Sequence, residues 1–180
     1  AMYACALDGY QSALLAPTEI LARQHYTNLK KLFKEEDLVI EVLYSSLNNK
    51  QRESILQKLK EGKIDILINN AGTGAVAPAE DITDDQFAHE MNVDLFGSFK
   101  VARAVAKKAM IPAKYGRVIN IASMYGLVGN KIAGSAPYHA AKGGVVNLTR
   151  ALAAEWGKYN ITVNAICPGY FYTPLTKETL

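Results

Sequence analysis

Between Gly9 and Gly62 the chain has no glycine. A strand followed by a glycine-rich turn and a helix is how α/β folds cradle phosphates, and that turn has no place in this stretch. Cysteine is almost as scarce. Cys5 and Cys167 lie far apart and match no metal-ligand spacing, so they read as two reduced thiols of a cytosolic-type protein. His25, His89 and His139 form no ligand cluster either, and no metal site is expected. No apolar run approaches the roughly 20 residues that span a bilayer, and no signal peptide opens the chain. A cytoplasmic protein with no membrane partner is therefore expected. An excess of charge is also lacking. The net +3 divides into +1 for residues 1–63 (nine basic, eight acidic) and +2 for the remainder (eleven basic, nine acidic), too little to attract nucleic acid by electrostatics alone.

What is present is the composition of an ordinary globular protein: 180 residues, 49% hydrophobic and 21% charged, which fits one domain. The first residues, Ala1 to Leu7, begin mid-pattern, as part of a helix cut from something longer. Short apolar runs then alternate with longer helical ones, which predicts a parallel sheet. The runs Ala13–Ala16, Val39–Tyr44, Ile64–Ile68, Arg117–Ala122 and Thr162–Cys167 read as its strands. Thr18 suits the cap of a helix reaching about Phe33, and Asn48 with Gln51 that of a helix stopping near Gly62. Thr83 with Gln86 opens a long helix to about Met110, and Pro137 sits in the first turn of a last helix reaching about Lys158. The fold class expected is α/β, a three-layer, doubly wound five-stranded parallel sheet ordered 2-1-3-4-5, Rossmann-like or flavodoxin-like, with all of 1–180 in one domain.

From Ile64 onward four motifs follow one another. Ile66-Leu67-Ile68-Asn69-Asn70-Ala71-Gly72 is a strand ending in Asn-Asn-Ala-Gly. Gly116 to Ser123 is a strand that delivers a serine, and Tyr138-His139-Ala140-Ala141-Lys142 is a Tyr-x-x-x-Lys pair. Asn164-Ala165-Ile166-Cys167-Pro168-Gly169 is followed by Thr173. In this order and spacing they resemble the short-chain dehydrogenase/reductase family, with Asp94 in a Val-Asp-Leu-x-Gly stretch where the family usually has asparagine. Some gluconate 5-dehydrogenase-type enzymes resemble that variant. The resemblance implies Ser123, Tyr138, Lys142 and Asp94 as catalytic residues, and Asn70, Ala71, Gly72, Pro168, Gly169 and Thr173 as contacts for NAD(P). It also implies a homodimer through helices 84–110 and 137–158.

The residues support that chemistry directly. Tyr138 and Lys142 are four apart and share one helix face. A nearby ammonium favours phenolate, so a lowered tyrosine pKa is expected, fitting Tyr138 for general acid-base work on an alcohol or ketone oxygen. Ser123 would bond that same oxygen. A carboxylate at Asp94 would stabilise the Lys142 ammonium if the two approach.

Residues 1–63 carry another signature. Ala13–Ala16 leads into Pro17-Thr18-Glu19-Ile20-Leu21-Ala22-Arg23-Gln24-His25, which resembles a nucleotide-domain motif of superfamily 2 DNA helicases of the RecG type. Neither a phosphate-binding Gly-Lys-Ser/Thr loop nor an Asp-Glu-x-His motif accompanies it. The two resemblances meet at the strand Ile64–Ile68. The expectation is therefore an engineered chimeric scaffold with no intact catalytic function and no tightly bound cofactor. An NAD(P)-dependent alcohol–ketone oxidoreductase is the alternative, and a DNA-binding helicase fragment the third reading.

Overall fold

The computed structural model describes residues 2–36, 38–44, 46–61, 64–74, 76–131 and 134–170. Helix α1 (Met2–Leu7) precedes strand β1 (Gln11–Leu15), followed by α2 (Glu19–Leu32) and α3 (Asn49–Glu61). Strand β2 (Ile64–Asn69) leads to a long helix α4 over residues 84–113, then β3 (Gly116–Ile121), α5 (Ala136–Trp156) and β4 (Ile161–Ile166). The strands form one parallel sheet in the order β1-β2-β3-β4. The expected order held strand 2 at the outer edge, so the four described strands keep the remaining order. The correction concerns Val39–Tyr44: it is irregular and joins no ladder, and the described sheet has four strands rather than five.

Capping explains where the helices begin. The Thr18 side chain accepts from Leu21 N, and Asn48 Oδ1 accepts from Gln51 N at 2.9 Å. Thr83 and Gln86 close a reciprocal box: the Thr83 amide donates to Gln86 Oε1 at 2.9 Å and the Gln86 amide to Thr83 Oγ1 at 3.2 Å. α4 is not uniform. Met91–Gly97 and Ala106–Met110 are wound as π-helix, whose wider turns re-aim side chains and recur at functional sites. Lys114 follows at φ 51, a left-handed stop that breaks α4 before β3.

Leu67, Val118 and Val163 lie in register on one sheet face and bury beneath Ala102, Ala106 and Met110 of α4 and Leu152 and Trp156 of α5. A second, smaller cluster joins Ala122, Val145 and Val146. Alternate residues of β3, Arg117, Ile119 and Ile121, are only half-buried, and their neighbours Thr162, Asn164 and Ile166 on β4 are exposed. Between the layers runs a buried polar chain. Asn69 Nδ2 donates to Asn120 Oδ1 (2.8 Å), and Asn120 Nδ2 donates to Thr149 Oγ1 (2.9 Å). It fixes the register of β2, β3 and α5 at the end of the sheet where their carboxyl-terminal loops gather, because a buried amide tolerates no slip that leaves it unpaired.

Candidate active site

At that end of the sheet, β3 delivers Ser123 and the first turns of α5 bring Tyr138 and Lys142 toward it. Ser123 is buried, and its Oγ accepts from the Tyr125 amide at 3.2 Å, fixing the turn Met124–Gly126. The turn lies so close to α5 that a Cβ on Gly126 would come within 2.7 Å of Lys142 O, which is why glycine stands there. The Lys142 ammonium lies 5.5 Å from the centroid of the Tyr138 ring. It donates to Ile121 O at 3.0 Å and pairs with Asp94 Oδ2 at 3.2 Å. Among the described residues two of its three donors are thereby engaged.

Asp94 has no solvent exposure. The first π-helical stretch of α4 carries it beneath the loop after β2, where its other oxygen accepts the Thr73 amide at 2.7 Å. A Cβ on Gly72 would meet Lys142 Nζ at 3.1 Å and Asp94 Oδ2 at 3.2 Å, so the Asn70-Ala71-Gly72 loop lies directly on the ion pair. Pro168 joins the same cluster, since its carbonyl accepts the Met124 amide at 2.9 Å, and Gly169 packs near Met124. Ser123, Tyr138, Lys142, Asp94, Asn70, Ala71, Gly72, Pro168 and Gly169 thus gather around one cleft. Thr173 lies outside the described residues. A cavity of about 330 Å³ opens alongside, lined by Thr73, Gly74, Asp85, Gln86, His89 and Glu90.

The expected lowering of the Tyr138 pKa is corrected. Burial pushes the phenol above the ordinary tyrosine value, the nearby Ser123 hydroxyl opposes this, and the carboxylates of Asp94 and Glu90 and the hydroxyl of Tyr170 reinforce it. Lys142 does not reverse the balance because its charge faces a carboxylate at contact distance. Reading from motifs alone missed three more residues of this cleft. Tyr125 and Tyr170 bond through their hydroxyls at 2.8 Å, and His139 stacks on Tyr125 with ring centroids 4.7 Å apart. Their positions beside Ser123, Gly169 and Tyr138 were the available signal.

The donor set suits the nicotinamide half of a dinucleotide: Lys142 supplies an ammonium at the cleft, and glycine at 72 keeps a side chain off the ion pair. At the end of β1 the residues differ. Glu19 stands in the first turn of α2, its carboxylate accepting from Ser46 Oγ (2.6 Å) and pairing with Arg23 (3.0 Å), so an anionic side chain occupies the end of the helix that would attract a phosphate.

The short chain dehydrogenase family model matches residues 2–180. Gluconate 5-dehydrogenase of Gluconobacter oxydans is 40% identical over 117 residues, 65% of this chain and 44% of the relative. A gluconate 5-dehydrogenase from Burkholderia cenocepacia, solved with NADP and tartrate, superposes with a TM-score of 0.71 at 32% identity over 92% of this chain and 64% of that one. An NAD+-bound xylitol dehydrogenase gives 0.75 at 31% identity, with the same coverage. The chain spans about half the length of the curated relatives it matches.

These matches overturn two expectations. The family model includes the N-terminal third, so 1–63 is not shown to be a helicase segment joined to a foreign partner. Locally, Pro17-Thr18-Glu19 is a helix start, with Thr18 acting as the cap. The expectation of an engineered scaffold without catalytic function falls with it, since the matched proteins are dehydrogenases. The chain belongs to the short chain dehydrogenase family.

Proposed function

We propose that this chain carries the catalytic centre of an NAD(P)-dependent oxidoreductase that interconverts a secondary alcohol and a ketone on a polyhydroxylated substrate, like the gluconate 5-dehydrogenases and polyol dehydrogenases it resembles. The convergence of Ser123, Tyr138 and Lys142 on one cleft carries the proposal. Lys142, the Asn70–Gly72 loop and the Pro168-Gly169 turn would hold the nicotinamide nucleotide, which when bound supplies the hydride acceptor or donor. Affinity is modest, because Glu19 disfavours phosphate at the start of α2.

Tyr138 moves the proton. With its pKa raised, the phenol is protonated near neutral pH and stands ready to donate to a forming alkoxide, so ketone reduction is the direction favoured there. Ser123 holds the substrate oxygen beside the Tyr138 hydroxyl, so that both address one target. Asp94 fixes the Lys142 ammonium between the loop after β2 and the end of β3. Exposed Phe87 and Phe96 on α4 support pairing with a second copy through α4 and α5. Two unpaired thiols suit a reducing compartment such as the cytoplasm.

Calorimetric titration with NADH and NADPH tests cofactor binding, with Lys142→Ala as the control. Saturable binding that disappears in the variant is expected, and its absence even at about millimolar cofactor (near 4 kcal/mol) would sink the reading. Turnover should fall about 10²–10⁴-fold in Tyr138→Phe, the range for a lost general acid.

A further inference from the structure

Leu15, the last residue of β1, pairs with Asn69 at the end of β2, so the turn Ala16-Pro17-Thr18 follows β1 on the side of the sheet where the Asn70–Gly72 loop begins. In parallel sheets of this kind a pyrophosphate rests on such a turn and on the amides that open the next helix. Glycines serve there because they leave room for the phosphates and present bare amides. Neither provision exists here. Ala16, Pro17 and Thr18 each carry a Cβ, and Pro17 has no amide proton to give. The Leu21 amide is already taken by Thr18 Oγ1 at 3.3 Å.

The start of α2 holds an anion of its own instead. Glu19 Oε1 accepts from Ser46 Oγ at 2.6 Å and from Arg23 Nε at 3.0 Å, and Glu19 Oε2 accepts from the Ser46 amide at 3.4 Å. The Ser46 hydroxyl above all outweighs the loss of water and, with Arg23 and the Ser46 amide, holds this carboxyl below the usual carboxylate range. A hydroxyl, a guanidinium and an amide are the donors that a phosphate would need, and a resident carboxylate uses all three. The contest is over donors rather than net charge. The glycines after β2 offer no substitute turn, since the Thr73 amide between Gly72 and Gly74 is bonded to Asp94 at 2.7 Å. We infer that this chain recognises its cofactor through the nicotinamide riboside half alone: Glu19 fills the place of the pyrophosphate, and the adenylate half adds no affinity. This rests on the oxidoreductase reading and narrows its cofactor to any nicotinamide nucleoside, with or without phosphates.

The test is calorimetric titration of the whole chain with three probes: reduced nicotinamide riboside, NADH and ADP. The riboside and NADH should bind within about 3-fold of each other, and ADP should show no saturable binding at about millimolar concentration. NADH tighter than the riboside by about 10-fold or more, or saturable binding of ADP, would overturn the inference and leave the oxidoreductase reading standing. No binding of any probe would overturn both. Glu19→Gly, its fold checked by circular dichroism, frees the three donors and should tighten NADH about 10-fold while leaving the riboside unchanged. NADH binding unmoved by that change would show that Glu19 does not fill the phosphate position. Should the variant not fold, the comparison of the three probes on the wild-type chain decides alone.

Discussion

Before β2, no described side chain is fully buried: β1 is half-buried along its whole length and α2 buries nothing completely. From β2 onward, Leu67, Met110, Val118, Val145 and Ile161 are almost completely enclosed, together with the charged groups Asp94 and Lys142. The two regions share one sheet, joined by the parallel ladder from Gln11↔Ile64 to Leu15↔Asn69. They are nevertheless held by different forces. The first stands on caps, surface pairs and ring contacts such as Tyr3 on Phe33. The second stands on apolar burial and on polar groups that cannot be left unpaired. The proposed catalytic centre sits in the second, where side chains keep their geometry because their neighbours cannot move.

The sharpest way to break this contrast is at the ion pair. Lys142→Met leaves Asp94 buried without its cation and should cost about 3–5 kcal/mol of stability in urea unfolding. Adding Asp94→Asn should restore much of it; a single variant as stable as wild type would show the pair to be dispensable. Next come paired truncations on adjacent strands. Leu67→Ala should lose about 2–5 kcal/mol, and Leu15→Ala distinctly less; equal losses would erase the distinction between the regions. A subtler probe is the pH profile of alcohol oxidation, which in the proposed mechanism requires deprotonated Tyr138 and so should climb as pH rises. Ser123 lowers the phenol pKa, so Ser123→Ala should move that rise to still higher pH, besides slowing turnover. A profile unmoved by the change would deny that Ser123 acts on the Tyr138 phenol. The smallest effect is expected at Arg23→Ala, where an exposed i,i+4 pair on α2 is lost and the unfolding midpoint should not measurably move.

Much of this arrangement was legible in the sequence. The strands at Ile64, Arg117 and Thr162 were found to within a residue or two because apolar runs between turn residues are strong signals, and the caps at Thr18 and Thr83 because they are local. The Ser123, Tyr138 and Lys142 constellation was legible for the same reason: each member carries a short motif. Val39–Tyr44 was not, since an apolar run shows a willingness to pair but not whether a partner edge is within reach. Nor was the raised pKa of Tyr138, which depends first on burial and then on two carboxylates from α4 that only the fold brings near. The missing glycine turn misled in the other direction. It is a real local departure, but membership of the family rests on the whole pattern, which extends across it.

The π-helical stretch Met91–Gly97 makes α4 sensitive to length in a way that its neighbours are not. Each residue removed from an α-helix rotates everything beyond it by about 100°. Deleting one residue there would draw the wide turn back to regular winding, and either Asp94 would swing away from Lys142 or the downstream stripe of Ala102, Ala106 and Met110 would turn out of the core. The site and the core thus share a reading frame, and substitutions along this segment are more easily accommodated than insertions or deletions.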